Sequence, residues 1–114
     1  MKGKITVAQI FIKGHRLEVF YNVSGNAEKY FTPGVNKFWA EYNENIDIVP
    51  PSIAVIPFVC NVLPIVWLAD MELVVDELDK TFYECLPEVR HGYMLLSPML
   101  NFLGGRLTVK KIVD

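Results

Sequence analysis

The sequence predicts an α+β domain, and two patterns along the chain carry that prediction. Up to about residue 43, apolar and polar residues alternate in short runs separated by glycine and proline turns, as in an antiparallel sheet. From about residue 52, apolar residues recur at spacings of three and four, as on a helix. The chain of 114 residues is 52% hydrophobic and 21% charged, which suits one core. We therefore predict a single domain over residues 1–114, in which an N-terminal antiparallel β-meander, two C-terminal helices and two further short strands pack as one layer pair.

Three strands make up the predicted meander. Residues 5–12 are rich in β-branched side chains, and residues 17–23 alternate cleanly between apolar and polar. Residues 36–43 repeat that alternation, and residues 29–31 are a candidate for a short edge strand. Turn clusters separate these segments at 13–15, 24–26 and 32–34.

In the second half of the chain, the sequence pattern predicts helices that alternate with strands. A proline-containing apolar helix over about 52–69 is followed by a strand over 71–75. Asp76 is a plausible N-cap for a helix over about 77–96, and a last strand runs from 107 to about 113. The apolar stripe of that second helix comprises Leu78, Phe82, Cys85, Leu86, Val89, Tyr93 and Leu96.

Residues 48–69 carry no charge and are numerous enough to cross a bilayer. Pro57 and Pro64 would each remove a helix hydrogen bond, and both flanks are acidic rather than rich in Lys and Arg. We expect a buried, proline-kinked core helix, with a membrane span as the alternative.

The charge and the cysteine content of the chain limit the classes of function that it could have. The net charge of −2 comes with no basic stripe of the kind that binds phosphates, so we expect no nucleic-acid partner. Cys60 and Cys85 lie in apolar runs without a partner at metal-ligand spacing, which predicts buried, reduced thiols and a cytoplasmic protein. The nearest approach to a basic patch consists of Lys2, Lys4, Lys13 and Arg16.

Few residues are candidates for chemistry. His15 and His91 have no carboxylate or thiol at ligand spacing, and we expect both at the surface. Gly104 and Gly105 are not followed by the Lys, Ser or Thr and the helix that a phosphate loop requires, so they predict a turn. The acidic residues between 70 and 79 do not have the spacing of a calcium loop. The sequence therefore predicts no catalytic residue, cofactor site or metal site in this chain.

Aromatic residues are the remaining candidates for a contact surface. Phe20 and Trp39 fall on the otherwise polar face of the predicted sheet, where they would be available to a partner. Trp67 lies in the apolar helix. Core packing is the default interpretation for each of the three.

The second half of the chain resembles a region that precedes the catalytic domain in a known protein family. The residues are VPPSIAVIPFVCNVLPIVWLADMELVVDELDKTFYECLPEVRHGY, then a Gly-Gly turn and RLTVKKIVD. Over residues 49–114 this pattern is similar to the segment that precedes the nucleotide loop in bacterial PP-loop proteins, the adenine-nucleotide α-hydrolase superfamily. The similarity is greatest to members that carry such a region, including those associated with sugar nucleotides or peptidoglycan precursors. The defining loop of the family, Ser-Gly-Gly-x-Asp-Ser, does not occur in this sequence, so no functional residue is carried over.

The resemblance implies a non-catalytic accessory domain in the N-terminal part of a longer protein. Its partner would be a C-terminal, ATP-using catalytic domain, for which it assists substrate positioning or subunit contact. The alternative is a stand-alone binding or oligomerisation module, with a homodimer as the expected assembly. A small enzyme in its own right is a third hypothesis. Without a phosphate loop, we expect no ATP binding by this chain alone.

Overall fold

Within the part of the chain that the structure describes, the fold consists of five strands and three α-helices, with one 3₁₀ helix. The computed structural model describes residues 2–32, 34 and 36–114. In chain order the elements are β1 (Lys4–Lys13), β2 (Arg16–Ser24), the 3₁₀ helix (Gly25–Tyr30), β3 (Lys37–Glu41), α1 (Pro51–Ala54), α2 (Ile56–Leu68), β4 (Glu72–Asp79), α3 (Lys80–Leu96) and β5 (Arg106–Val113).

The strands form one mixed sheet in the order β3-β2-β1-β4-β5. The first three pair antiparallel in sequence order, which confirms the predicted meander and the α+β class. β4 lies parallel to β1 and β5 lies parallel to β4. Parallel neighbours require crossover connections, and α3 supplies the one between β4 and β5.

The core lies between one face of the sheet and the helices. Ile5, Leu17 and Leu73 are fully buried on the sheet, opposite Phe58 and Val66 of α2. Burying a side chain of this size stabilises the fold by about 1.5–3 kcal/mol. The proline-containing segment is thus a core helix, with one face made of Phe58, Val59, Val62, Leu63, Val66 and Trp67.

The helix predicted over 52–69 is divided in two at Val55. Pro57 occupies the first turn of α2, where a missing N–H does least harm. Since Pro57 has no N–H to donate to the carbonyl of Ile53, a continuous helix would lose a hydrogen bond there. Pro64 lies inside α2 without ending it.

The boundary between β4 and α3 differs from the prediction. β4 continues to Asp79, because its last three residues pair with β5 and Leu78 is fully buried. Asp76 therefore lies within a strand and caps nothing. The N-cap of α3 is Asp79, whose Oδ2 accepts a hydrogen bond of 3.0 Å from the Phe82 N–H.

The apolar stripe predicted for the second helix faces the core only in part. Leu86 is buried and Tyr93 is partly buried, whereas Val89 and Leu96 are exposed. Leu78 belongs to β4 rather than to the helix. The reason is that α3 packs mainly on β4 and β5, at one edge of the sheet, so other elements cover less of its surface.

The connection from β2 to β3 also differs from the prediction. In place of an edge strand at 29–31, the chain forms the 3₁₀ helix Gly25–Tyr30, with Ala27 buried. Ala27 lies against Gly3, where an added Cβ would come within 2.5 Å of the Ala27 nitrogen. The turn predicted at 32–34 includes Pro33, which lies outside the described residues.

A close backbone approach joins α2, β4 and β5 at one point, the Gly105 junction. Gly105 has a φ of +71°, and a Cβ built on it would lie 2.2 Å from the carbonyl oxygen of Val66. Its N–H donates to Oδ1 of Asp70 at 2.8 Å, and the next N–H, of Arg106, donates to the Met71 carbonyl at 2.9 Å. The predicted Gly-Gly turn is confirmed, and its second glycine is required by both its φ and its surroundings.

We expect Gly105→Ala to lower the free energy of unfolding by about 3 kcal/mol or more, since an unfavourable φ and a clash with backbone atoms add together. Gly14→Ala is the matched control: Gly14 has a φ of +60°, but nothing lies within 4 Å of its added Cβ. The free energy of unfolding of that variant should fall only by the cost of the unfavourable φ, about 1–2 kcal/mol. Urea unfolding of both variants measures the difference, and equal losses would contradict the close approach.

The helix cap gives a second paired comparison. Asp79→Ala should cost about 1 kcal/mol of stability, because the Phe82 N–H loses its acceptor. Asp76→Ala should cost close to nothing, because Asp76 is exposed and its ion pair, at 3.3 Å, is with the equally exposed Lys110. Thermal unfolding distinguishes the two. A larger loss for Asp76→Ala would place the start of α3 where the sequence pattern predicts it.

Candidate interaction surfaces

Phe20 and Trp39 lie together on the outer face of the sheet, the face opposite the helices. In the β2–β3 register, Glu18 is opposite Trp39 and Phe20 is opposite Lys37, so all four side chains share that face. Trp39 is 54% exposed and Phe20 is partly buried. The structure thus brings the two predicted contact residues to one surface.

Phe11 belongs to the same surface. Counting by alternation from Ile5 places Phe11 on the inner face, because the side-chain period of a strand is two. An irregularity in the β1–β2 register between Val7 and Gln9 shifts the pattern by one residue. Phe11 is therefore 50% exposed and meets the ring of Phe20 edge-on, with the ring centroids 5.6 Å apart.

Charged groups cover the aromatic rings of this outer face. Arg16 lies 4.6 Å from the centre of the Trp39 ring, and Lys37 lies 5.9 Å from that of Phe20. Both cations also pair with Glu18, at 3.0 Å from Arg16 Nε and 3.3 Å from Lys37 Nζ. The hydrogen bonds from Arg16 and then Lys37 lower the pKa of the Glu18 carboxyl. These cations are therefore already matched with carboxylates and rings.

A second polar group lies on the outer face between β4 and β5. The Thr108 hydroxyl donates to Oε2 of Glu72 at 2.7 Å, and Arg106 Nη2 lies 3.2 Å from the same oxygen. The Thr108 hydrogen bond is the main cause that lowers the pKa of Glu72, with Arg106 adding to it. In the register, Thr6 and Thr108 flank Val74 on this face.

The histidines and cysteines are all at the surface. His15 and His91 are exposed, as predicted. The prediction that Cys60 and Cys85 are buried is wrong, since both thiols are exposed. Each lies on the exposed side of a helix that buries only its other side. Partial burial still raises the pKa of the Cys60 thiol.

The largest exposed apolar feature follows α3, and we call residues 95–103 the apolar segment. Phe102 is buried and lies 5.4 Å from the Tyr93 ring, which anchors the segment to the core. Arg90 holds it as well, by donating to the carbonyl oxygens of Phe102 at 2.7 Å and Gly104 at 2.8 Å. The remaining large apolar side chains point away from the core and are more than half exposed: Leu95, Leu96, Met99, Leu100 and Leu103.

Sequence reasoning did not identify the apolar segment as a surface. The run LLSPMLNFL does contain a signal, because it places six large apolar residues around a Ser-Pro helix stop. The residues after the stop belong to no predicted helix or strand. The sequence pattern therefore gives no element that would direct their side chains into the core.

A cleft of about 470 Å³ lies between α3, the end of α2 and the start of β5. Trp67, Tyr83 and Leu107 contribute to its apolar walls, with Arg90 and His91 as polar groups. Trp67 is buried, which confirms the interpretation that it packs in the core. Leu103 of the apolar segment also lines the cleft.

We expect the Thr108–Glu72 hydrogen bond to affect stability in acid. Because the folded-state pKa of Glu72 is lowered, ionised Glu72 stabilises the fold above about pH 4.5, and this contribution disappears as the pH falls through the folded-state pKa. Thr108→Val should therefore be less stable near neutral pH and should lose less stability on acidification. Thr6→Val, on the same face but without a hydrogen bond to Glu72, is the control. Denaturant unfolding at several pH values measures the slopes, and identical slopes for Thr108→Val and the unsubstituted protein would contradict the assignment.

Within residues 2–32, 34 and 36–114, no three His, Cys, Asp or Glu side chains come together as a metal site would need. Among the helices of that same part of the chain, none has the length and apolar character to cross a membrane. Comparison with protein-family models, with curated proteins and with solved structures finds no match to this chain.

Proposed function

We propose that this chain is a cytoplasmic, non-catalytic accessory domain that contacts an ATP-using, PP-loop-type catalytic unit. The observation that carries the proposal is the apolar segment, in which Leu96 is 83% exposed and Met99 is 95% exposed. Clustered apolar side chains of this size in water are a common mark of a protein contact. The resemblance of residues 49–114 to the leading region of PP-loop proteins names the kind of partner.

The fixed shape of the apolar segment supports a docking role. Phe102 inserts into the core, and Arg90 binds the carbonyl groups on both sides of Leu103. The segment is thus held at its C-terminal end by these contacts and at its start by the last turn of α3, so its side chains are presented in one arrangement before a partner arrives. A surface that is already ordered loses less conformational entropy on binding, which favours affinity.

A second candidate is self-association through the outer face of the sheet. Phe11 and Trp39 are each about half exposed there, on the sheet face opposite the helices. Two copies related by a two-fold axis could place these faces against each other. The ion pairs of Arg16 and Lys37 with Glu18 would have to remain satisfied at the rim of that contact.

The test begins with the catalytic unit. The proposal predicts that the encoding gene or its neighbours specify a strand, a Ser-Gly-Gly-x-Asp-Ser loop and a helix. We expect that unit, titrated calorimetrically, to bind the chain. The double variant Leu96→Glu/Met99→Glu should bind at least about tenfold more weakly, because two charges would be buried without partners. Ile48→Glu, at a 93% exposed position outside the apolar segment, should bind as the unsubstituted chain does.

The same variants separate the two candidates. Light scattering at about 100 μM detects a dimer whose Kd is micromolar. If a dimer forms, persists in Leu96→Glu/Met99→Glu and is lost in Phe11→Ser/Trp39→Ser, the sheet face is the contact and the second candidate is preferred. A catalytic unit that binds all variants equally, or the absence of such a unit, would refute the accessory role.

A further inference from the structure

The cleft between α3 and the start of β5 has the size and walls of a small-molecule site. Its volume of about 470 Å³ is in the range that holds compact organic ligands. Trp67 and Tyr83 supply aromatic surface, and Leu63, Leu86 and Leu107 supply aliphatic surface. His91 and Leu103 lie at exposed positions of the lining, so the cleft is open to solvent.

Arg90 lines this cleft, and among the described residues its positive charge is not paired with a carboxylate. Its guanidinium lies 4.9 Å from the centre of the Trp67 ring and is partly buried. Nε and Nη2 donate to the carbonyl oxygens of Phe102 and Gly104, which are neutral acceptors. A guanidinium has five N–H groups, so donors remain for a further acceptor. Among the described residues, no carboxylate forms an ion pair with Arg90.

The other charges around the cleft are already paired. Arg106 also lines it, but Nη2 of Arg106 lies 3.2 Å from Oε2 of Glu72. Asp70, which accepts the Gly105 N–H, lies 3.5 Å from Nζ of Lys2. Among the described residues, the cleft lining contains no Asp or Glu. Arg90, at an aromatic wall, is thus the unpaired cation that a ligand would meet, with His91 as a further polar group of the lining.

From this arrangement we infer that the cleft binds a small organic anion, with an aromatic or apolar body and one acidic group. The body packs between Trp67 and Tyr83, and the acidic group accepts hydrogen bonds from Arg90. A charge-assisted hydrogen bond of this kind is stronger than one between neutral groups, and it gives the site its preference for acids. This binding activity goes beyond the proposed docking role, although Arg90 and Leu103 contribute to both.

The cleft adjoins the apolar segment, since Leu103 belongs to both. A partner that covers the segment would therefore lie at the mouth of the cleft. Ligand sites often occur at such boundaries between domains, where the second unit completes the enclosure.

The test uses two probes of nearly the same shape. 1-Anilinonaphthalene-8-sulfonate carries one negative charge, and N-phenyl-1-naphthylamine is its uncharged counterpart. In a Trp39→Phe background, Trp67 is the remaining tryptophan of the chain, so energy transfer from its emission reports a probe bound near the cleft, and substitutions of the lining then distinguish the cleft from the apolar segment. We expect the sulfonate to bind at least about tenfold more tightly than the amine, the difference made by one charge-assisted hydrogen bond.

Substitutions then locate the site. Arg90→Gln should remove the preference for the sulfonate, because it weakens the binding of the sulfonate more than that of the amine. Lys110→Gln, on the outer face, should change neither, and Tyr83→Ala should weaken both probes. Circular dichroism confirms that each variant is folded. Leu96→Glu/Met99→Glu should keep the sulfonate affinity, so a failure of the docking role is distinguishable from a failure of this site.

Two results would overturn the inference. One is equal affinity of the unsubstituted cleft for both probes, and the other is an unchanged sulfonate preference in folded Arg90→Gln. If Arg90→Gln does not fold, Tyr83→Ala decides: unchanged affinity for both probes excludes the cleft as the site, whereas weaker binding of both supports it.

Discussion

The Gly105 junction is the constraint on which much of the remaining structure depends. The backbone of Gly105 touches the carbonyl of Val66 at the end of α2, and its N–H is bound by Asp70 in the turn before β4. The adjacent Arg106 N–H binds Met71, which starts the parallel pairing of β5 with β4. A side chain at position 105 would push these elements apart. One glycine thus fixes how α2, β4 and β5 meet.

This junction also determines where the chain is free to interact. With β5 fixed, the connection from α3 must return over residues 97–105, and Phe102 and Arg90 hold that connection against the core. The other large apolar side chains of the apolar segment remain in solvent, because none of the described elements covers them. The cleft results from the same geometry, since α3 and the start of β5 form two of its sides.

The two faces of the sheet play different roles. The inner face is covered by the helices and carries the core, while the outer face is left with aromatic and charged side chains. On that outer face the cations at Arg16 and Lys37 are matched by Glu18 and by the rings of Trp39 and Phe20. Arg90 differs, because its acceptors are neutral carbonyl oxygens. The distinction rests on the charge of the acceptors, which the sequence does not display.

The sequence by itself determined the α+β class, the meander and the burial of the proline-containing helix, because side-chain alternation and helical spacing are local properties. It also placed Phe20 and Trp39 on one sheet face, since a regular strand carries its pattern with it. Tertiary structure decided the rest. Pairing with β5 extended β4 to Asp79 and moved the helix cap from Asp76, and a register shift in β1 brought Phe11 to the surface. The apolar segment and the unmatched charge of Arg90 arise from contacts between residues distant in the chain, and no local pattern records which of those groups find a partner.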